Sequence, residues 1–99
     1  MQNERQTARR PVYPIASVGN ALTLLTLLGE RERVRVADAA AELGTARSTA
    51  HRLLAMLEYH GFAQQDPATR AYVSGPALIE AGLGALGNLD IRAFARPVL

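Results

Sequence analysis

The sequence predicts a mainly α-helical domain in which three helices enclose one core, a two-stranded β-hairpin follows the third, and a further helix comes after it. Three observations predict this. Apolar residues recur at helical spacing in three segments between Val18 and His60, Gly44 separates the second and third segments by a very short turn, and an Asp66-Pro67 turn signal splits the run that follows. Two helices joined by a tight glycine turn make a helix-turn-helix, and a hairpin directly behind it makes a wing. The fold class is therefore a winged helix-turn-helix, a three-helix core plus a two-stranded β wing, followed by a linker helix.

Each element has its own signal. Residues 1–14 lack apolar periodicity, contain Pro11 and Pro14, and read as a flexible N-terminal arm. The winged helix-turn-helix domain is placed at 15–75. Ser17 is the expected N-cap of a first helix from Val18 to Leu28, with Val18, Ala21, Leu22, Leu25 and Leu28 as its stripe and Gly29 as its stop. Leu24 and Leu27 fall outside that stripe and allow two readings, a broad core face or contact with a second subunit.

Val34 and Val36 alternate with Arg33 and Arg35, as in a short strand, before an alanine-rich helix from about Ala37 to Leu43 that Gly44 ends. The next helix carries Ala46, Ala50, Leu53, Leu54 and Leu57 on one face and runs to about His60, with Gly61 as its stop. Phe62 to Asp66 and Ala71 to Ser74 flank Pro67-Ala68-Thr69-Arg70 as a hairpin. Pro76 suits the first turn of a linker helix over 76–88, although Gly82, Gly84 and Gly87 weaken it. A short helical piece over 89–99 closes the chain.

Composition excludes several classes. Ninety-nine residues, 48% of them hydrophobic, suffice for one small core. No run of about 18 apolar residues exists and the first ten residues are polar, so a cytoplasmic protein with no membrane partner is expected. Cysteine is absent, and His51 and His60 lack acidic or histidine neighbours at ligand spacing, so neither a metal nor a cofactor is expected. The net charge is only +2, yet all 11 basic residues are arginine, whose planar fork suits phosphate and guanine.

The placement of those arginines suggests a site. With Ala50 at the centre of the buried side, a step of about 100° per residue turns Ser48, His51, Arg52 and Ala55 outward, with Arg47 and Thr49 flanking the helix start. Thr45, Ser48, Thr49 and Arg52 suit a phosphate near a helix N-terminus, whereas Arg47 and His51 suit base edges in the major groove of double-stranded DNA. An ordinary solvated helix face is the competing reading, and the bracket and wing around these residues count against it. Thr69 and Arg70 read either as a plain exposed turn or as a wing tip reaching a phosphate or the minor groove.

These segments also carry a family resemblance. Ser17-Val18-Gly19-Asn20-Ala21-Leu22-Thr23-Leu24-Leu25 is similar to the opening pattern of the IclR transcription regulators, with Asn20 in place of the usual arginine. Ala39-Ala40-Ala41-Glu42-Leu43-Gly44 followed by Arg47-Ser48-Thr49-Ala50-His51-Arg52-Leu53-Leu54 resembles their helix-turn-helix, and Leu57, Gly61-Phe62, Tyr72, Gly75-Pro76, Arg92 and Ala95-Arg96-Pro97 continue in register. Thr45-Ala46 replaces a common Leu-Pro pair, and Ser74 a usual leucine. The resemblance implies a homodimer on a pseudo-palindromic operator, joined through its first and last helices, a role that Leu24 and Leu27 would fit. It also implies a small-molecule effector, bound in full-length relatives by a C-terminal domain whose first helix Leu89 to Leu99 resembles. Repression is the expected sign of regulation.

Two other functions compete. Gly82-Leu83-Gly84-Ala85-Leu86-Gly87 matches a dinucleotide-binding pattern, but a helix rather than a strand precedes it and no acidic residue follows at the required distance, so an enzyme is not expected. His51 and Glu58 stand seven positions apart with no nucleophile nearby. A winged-helix module for protein interaction or dimerisation, without DNA, is the alternative.

Overall fold

The computed structural model describes residues 14–89. Among these residues there are four helices, α1 (Ala16–Glu30), α2 (Val36–Leu43), α3 (Arg47–Tyr59) and α4 (Pro76–Gly87), and a two-stranded antiparallel sheet, β1 (Ala63–Gln65) and β2 (Tyr72–Ser74), that lies between α3 and α4 in the chain. This is the expected mainly helical winged helix-turn-helix with a helix behind it. Apart from Pro14 and Leu89, the expected arm over 1–14 and the closing piece over 89–99 lie outside the described residues.

The core is centred on α1, α2 and α3. Leu24, Leu27 and Leu28 of α1 meet Ala39 and Ala40 of α2 and Ala50 and Leu54 of α3, and Val34, Ala63 and Tyr72 close the side toward the wing. Val36, Leu43, Leu53, Leu57 and Leu78 cover this cluster as half-buried neighbours. The alanines matter for distance. With only a methyl group at three contact positions, α2 and α3 approach closely and the larger leucines fill the space toward α1.

The first helix corrects the sequence reading in three ways. It begins at Ala16, with Ile15 at the N-cap and no side-chain cap, so Ser17 sits inside the helix rather than before it. Gly29 is helical, and the stop falls at Arg31, whose extended backbone leaves the helix while its N–H still reaches the Leu27 carbonyl. Most consequentially, the buried stripe is rotated. Leu24 and Leu27 are core residues, whereas Val18 and Leu22 are 51% and 57% exposed. The helix is apolar on both sides, so periodicity alone did not say which side faces in.

Helix ends in the middle of the domain follow glycine chemistry closely. Gly44 adopts the left-handed conformation (φ 69°), its N–H donates to Ala41 O at 3.3 Å, and the N–H of Thr45 donates to Ala40 O at 3.0 Å. Gly61 (φ 83°) repeats the arrangement after α3, with Gly61 N–H to Glu58 O at 3.0 Å and Phe62 N–H to Leu57 O at 2.8 Å. Both are Schellman closures, which satisfy terminal carbonyls and turn the chain sharply. Two smaller boundary corrections apply. α2 starts at Val36 rather than Ala37, and Ala46 is the exposed N-cap of α3 rather than part of its buried face.

The wing pairs Ala63 with Ser74, Gln64 with Val73 and Gln65 with Tyr72. The expected strand around Val34 contracts to a single bridge, in which Val34 and Tyr72 exchange N–H···O bonds of 2.8 Å. That bridge extends the hairpin toward the start of α2. Ser74 Oγ adds a bond of 2.9 Å to Leu28 O, tying β2 to the end of α1. At the hairpin's exit, Gly75 is buried against the Gly61 carbonyl, and a Cβ there would fall only 2.8 Å from Ala63 N, closer than real side chains sit. Pro76 then opens α4 at the first turn, as expected.

The rotated α1 face makes a direct stability prediction. Leu24→Ala should cost about 2–5 kcal/mol, as for other fully buried leucines. Leu22→Ala, made at low protein concentration, should stay within about 0.5 kcal/mol. Urea denaturation of both variants checks this, and equal losses would contradict the assignment of faces.

Candidate nucleic-acid interface

The geometry of α3 begins with what holds it. Ala50 and Leu54 are fully buried, and Leu53 and Leu57 are half-buried on either side of them, so the helix cannot rotate without exposing its core face. The opposite side is consequently fixed outward. Arg47, Ser48, His51, Arg52 and Ala55 are all exposed, and Thr49 is half-buried at the edge of this face. Among the described residues, no side-chain hydrogen bond or ion pair engages Arg47, Ser48, His51 or Arg52; the one ion pair joins Arg31 and Glu42 at 3.7 Å. Four polar side chains thus share one outer surface of a helix about 20 Å long.

The start of α3 is open as well. Its N-cap is Ala46, which has no side-chain oxygen to accept from the first turn, and among the described residues the N–H groups of Arg47, Ser48 and Thr49 have no acceptor. Serine, threonine, aspartate or asparagine at this position would have filled one of those sites. Uncapped N–H groups and the positive end of the helix dipole together form a place for an anion, and Arg47 adds a formal charge beside it. Thr45 is half-buried, and its Oγ donates at 3.2 Å to Ala46 O, which directs its proton into the turn.

The wing tip is built by its own hydrogen bonds. Asp66 Oδ1 accepts the Ala68 N–H at 2.9 Å, Thr69 Oγ1 accepts the Ala71 N–H at 3.2 Å, and Arg70 N–H donates to Asp66 O at 2.6 Å. The Ala68 N–H, reinforced by Thr69 and Arg33, holds the Asp66 carboxyl below its ordinary value of 3.8. Thr69 is half-buried, while Arg70 is exposed with its backbone in the left-handed region at φ 67°.

Sequence reasoning missed part of this surface. Met56 and Tyr59, 56% and 81% exposed, continue the outer side of α3 past Arg52. Their i+4 and i+7 spacing from Arg52 was the available signal. Arg35, at the N-cap of α2, sends its guanidinium to Thr69 O at 3.3 Å, bringing a third arginine to the wing. No local pattern announces a contact between residues 34 apart.

Comparison with known proteins now identifies the arrangement. The IclR helix-turn-helix domain model matches residues 17–67. This chain belongs to the IclR family. It is 36% identical over 83 residues to the HTH-type transcriptional regulator XynR of Escherichia coli (strain K12), covering 83% of this chain and 33% of that protein. It is 38% identical over 82 residues to the glycerol operon regulatory protein of Streptomyces griseus, covering 82% and 32%. Among solved structures, an IclR transcriptional regulator from Alicyclobacillus acidocaldarius superposes with a TM-score of 0.73 at 33% identity, over 86% of this chain and 35% of that one. The chain therefore spans about a third of the length of the curated relatives it matches. The IclR domain is a DNA-binding module of transcription regulators, not of an enzyme family, and the glycine-rich run 82–87 lies within α4 rather than after a strand.

Two measurements probe this geometry. Ala46→Ser supplies the missing cap and should raise stability by about 1 kcal/mol in urea denaturation. In an NMR titration, the Ala68 amide should shift with a midpoint below 3.8, because Asp66 has a depressed pKa in the fold. The turn is then supported at neutral pH, and this support fades as pH falls through that midpoint.

Proposed function

We propose that this IclR-type domain binds operator DNA sequence-specifically as a homodimer, with α3 in the major groove and the wing beside it. The observation that carries the reading is the open start of α3 at Ala46 beside an unpartnered outer row of Ser48, His51 and Arg52. In this reading Ser48, Thr49 and Arg52 hold phosphates with Thr45 in support, and Arg47 and His51 meet base edges. Thr69 and Arg70 reach a phosphate or the minor groove from the wing. Residues 15–75 act as the DNA-binding unit and 76–88 as a linker helix, in a protein that works in the cytoplasm beside the chromosome. Repression follows if the occupied operator overlaps a promoter. Effector control is proposed only for a full-length relative.

The exposed apolar residues support the homodimer. Ile15 at the N-cap of α1 with Val18 and Leu22 along it, and Ile79, Leu83 and Leu86 along α4, are each more than half exposed and follow helical spacing. Of the two readings left open for Leu24 and Leu27, the core face holds, so subunit contact passes to these exposed residues instead. A pseudo-palindromic operator then mirrors the two-fold axis of the dimer.

Selection of bound duplexes from a random pool, followed by titration at several salt concentrations, tests the proposal. The logarithm of affinity should fall with that of salt by roughly 0.9 per phosphate contacted, whereas a protein-interaction module would show no duplex selection. Arg52→Ala should weaken binding to all sequences alike, while Arg47→Ala and His51→Ala should each change preference at one or two base pairs by about 1–3 kcal/mol. For the dimer, Leu83→Glu should shift the sizing profile to a monomer without lowering helix content, and an unmoved profile would remove α4 from the interface.

A further inference from the structure

Two arginines in this domain occupy positions that local chemistry disfavours, and both lead to the same turn. Arg35 is the N-cap of α2, where an oxygen-bearing side chain satisfies the first turn and a positive charge meets the positive end of the helix dipole. Arg70 holds a left-handed backbone (φ 67°), a conformation in which glycine or asparagine is normally found. The Arg35 guanidinium crosses from α2 to donate to the Thr69 carbonyl at 3.3 Å, one residue before Arg70. Positions that break a local rule and converge in space mark a place where stability yields to function.

We infer that Arg35 is a positioning residue for DNA binding, which acts by holding the wing tip so that Arg70 faces the duplex. The inference rests on the proposed DNA-binding function. The base of the wing is fixed by Ser74 Oγ on Leu28 O, and the Val34–Tyr72 bridge holds β2 at its turn-side end. Toward the tip, the 3-residue strands end at Gln65 and Tyr72, and the connecting turn depends on Asp66, Thr69 and the Gln65 Nε2 bond of 3.0 Å to Arg70 O. All of these bonds lie within the hairpin. From outside the hairpin, the Glu58 carboxylate accepts the Gln65 N–H at 3.2 Å where β1 ends. Among the described residues Arg35 is the outside side chain that hydrogen-bonds the turn itself, so it biases the angle of the tip rather than the shape of the turn. Orienting a wing before DNA arrives reduces the ordering cost that binding would otherwise meet.

The direction of the effects separates this role from a purely structural one. Arg35→Ser installs a conventional N-cap and removes the link, so its urea midpoint should stay at or above the native value while operator affinity falls about fivefold, the size of one modest hydrogen bond. Arg70→Gly relieves the left-handed backbone and should also keep or raise the midpoint while weakening binding. If Arg35 works through the wing, Arg35→Ser in the Arg70→Gly background should change affinity by less than about twofold.

The closing experiment is that double-mutant cycle, titrated on the duplex selected by the native protein at two salt concentrations, with urea midpoints for all four proteins. A full fivefold loss that persists in the Arg70→Gly background, with a further drop of about 0.9 in salt slope, would show that Arg35 touches a phosphate itself and would overturn the positioning role. Unchanged affinity for Arg35→Ser, or an affinity loss matched by a lower midpoint, would overturn it too. Failure of the native protein to select any duplex would instead defeat the underlying DNA-binding reading.

Discussion

The close contact between α2 and α3 is the constraint on which the rest of the domain depends. Ala39 and Ala40 on one side and Ala50 on the other put buried methyl groups, rather than longer side chains, at three positions of this core. The Schellman closure at Gly44 turns the chain within three residues. Together they lock α3 at one angle and one rotation, with Leu54 driven into the core. A larger residue at any of the three alanines would push the helices apart and change the tilt of the outer row of α3.

The domain spends its side chains unevenly. Apolar groups and backbone bonds hold the core and the base of the wing, and among the described residues the side chains of Arg47 and Arg52 of α3 take no part in either. Among the described residues, one arginine forms an ion pair and one donates to the wing turn. The N-terminus of α3 is likewise left uncapped at Ala46, where a cap would have been stabilising. A domain optimised for stability alone would have filled these positions differently, and their vacancy is consistent with a surface completed by a polyanion.

The apolar faces of α1 and α4 belong to the same logic. The interior of a domain this small closes over only one side of α1, and α4 contributes no fully buried residue. Val18 and Leu22 of α1 and Ile79, Leu83 and Leu86 of α4 stay on the outer sides at a cost in solubility that a symmetric partner would remove.

Element order was legible in the sequence by itself. Glycine at 44 and 61, Asp66-Pro67 and Pro76 act on their own backbone and their immediate neighbours, so their structural meaning survives without any tertiary context. The outer row of α3 was legible for a similar reason, since a helix with one apolar stripe has only one way to face a core. Tertiary structure alone decided the rotation of α1, because a helix apolar on two sides satisfies periodicity in either orientation and only packing against Ala39, Ala50 and Leu54 selects Leu24 and Leu27. It also decided the shrinking of the Val34 strand to one bridge and the reach of Arg35 to the wing. Those contacts join segments more than 30 residues apart, and the distance between such segments is set by the whole core rather than by any local pattern.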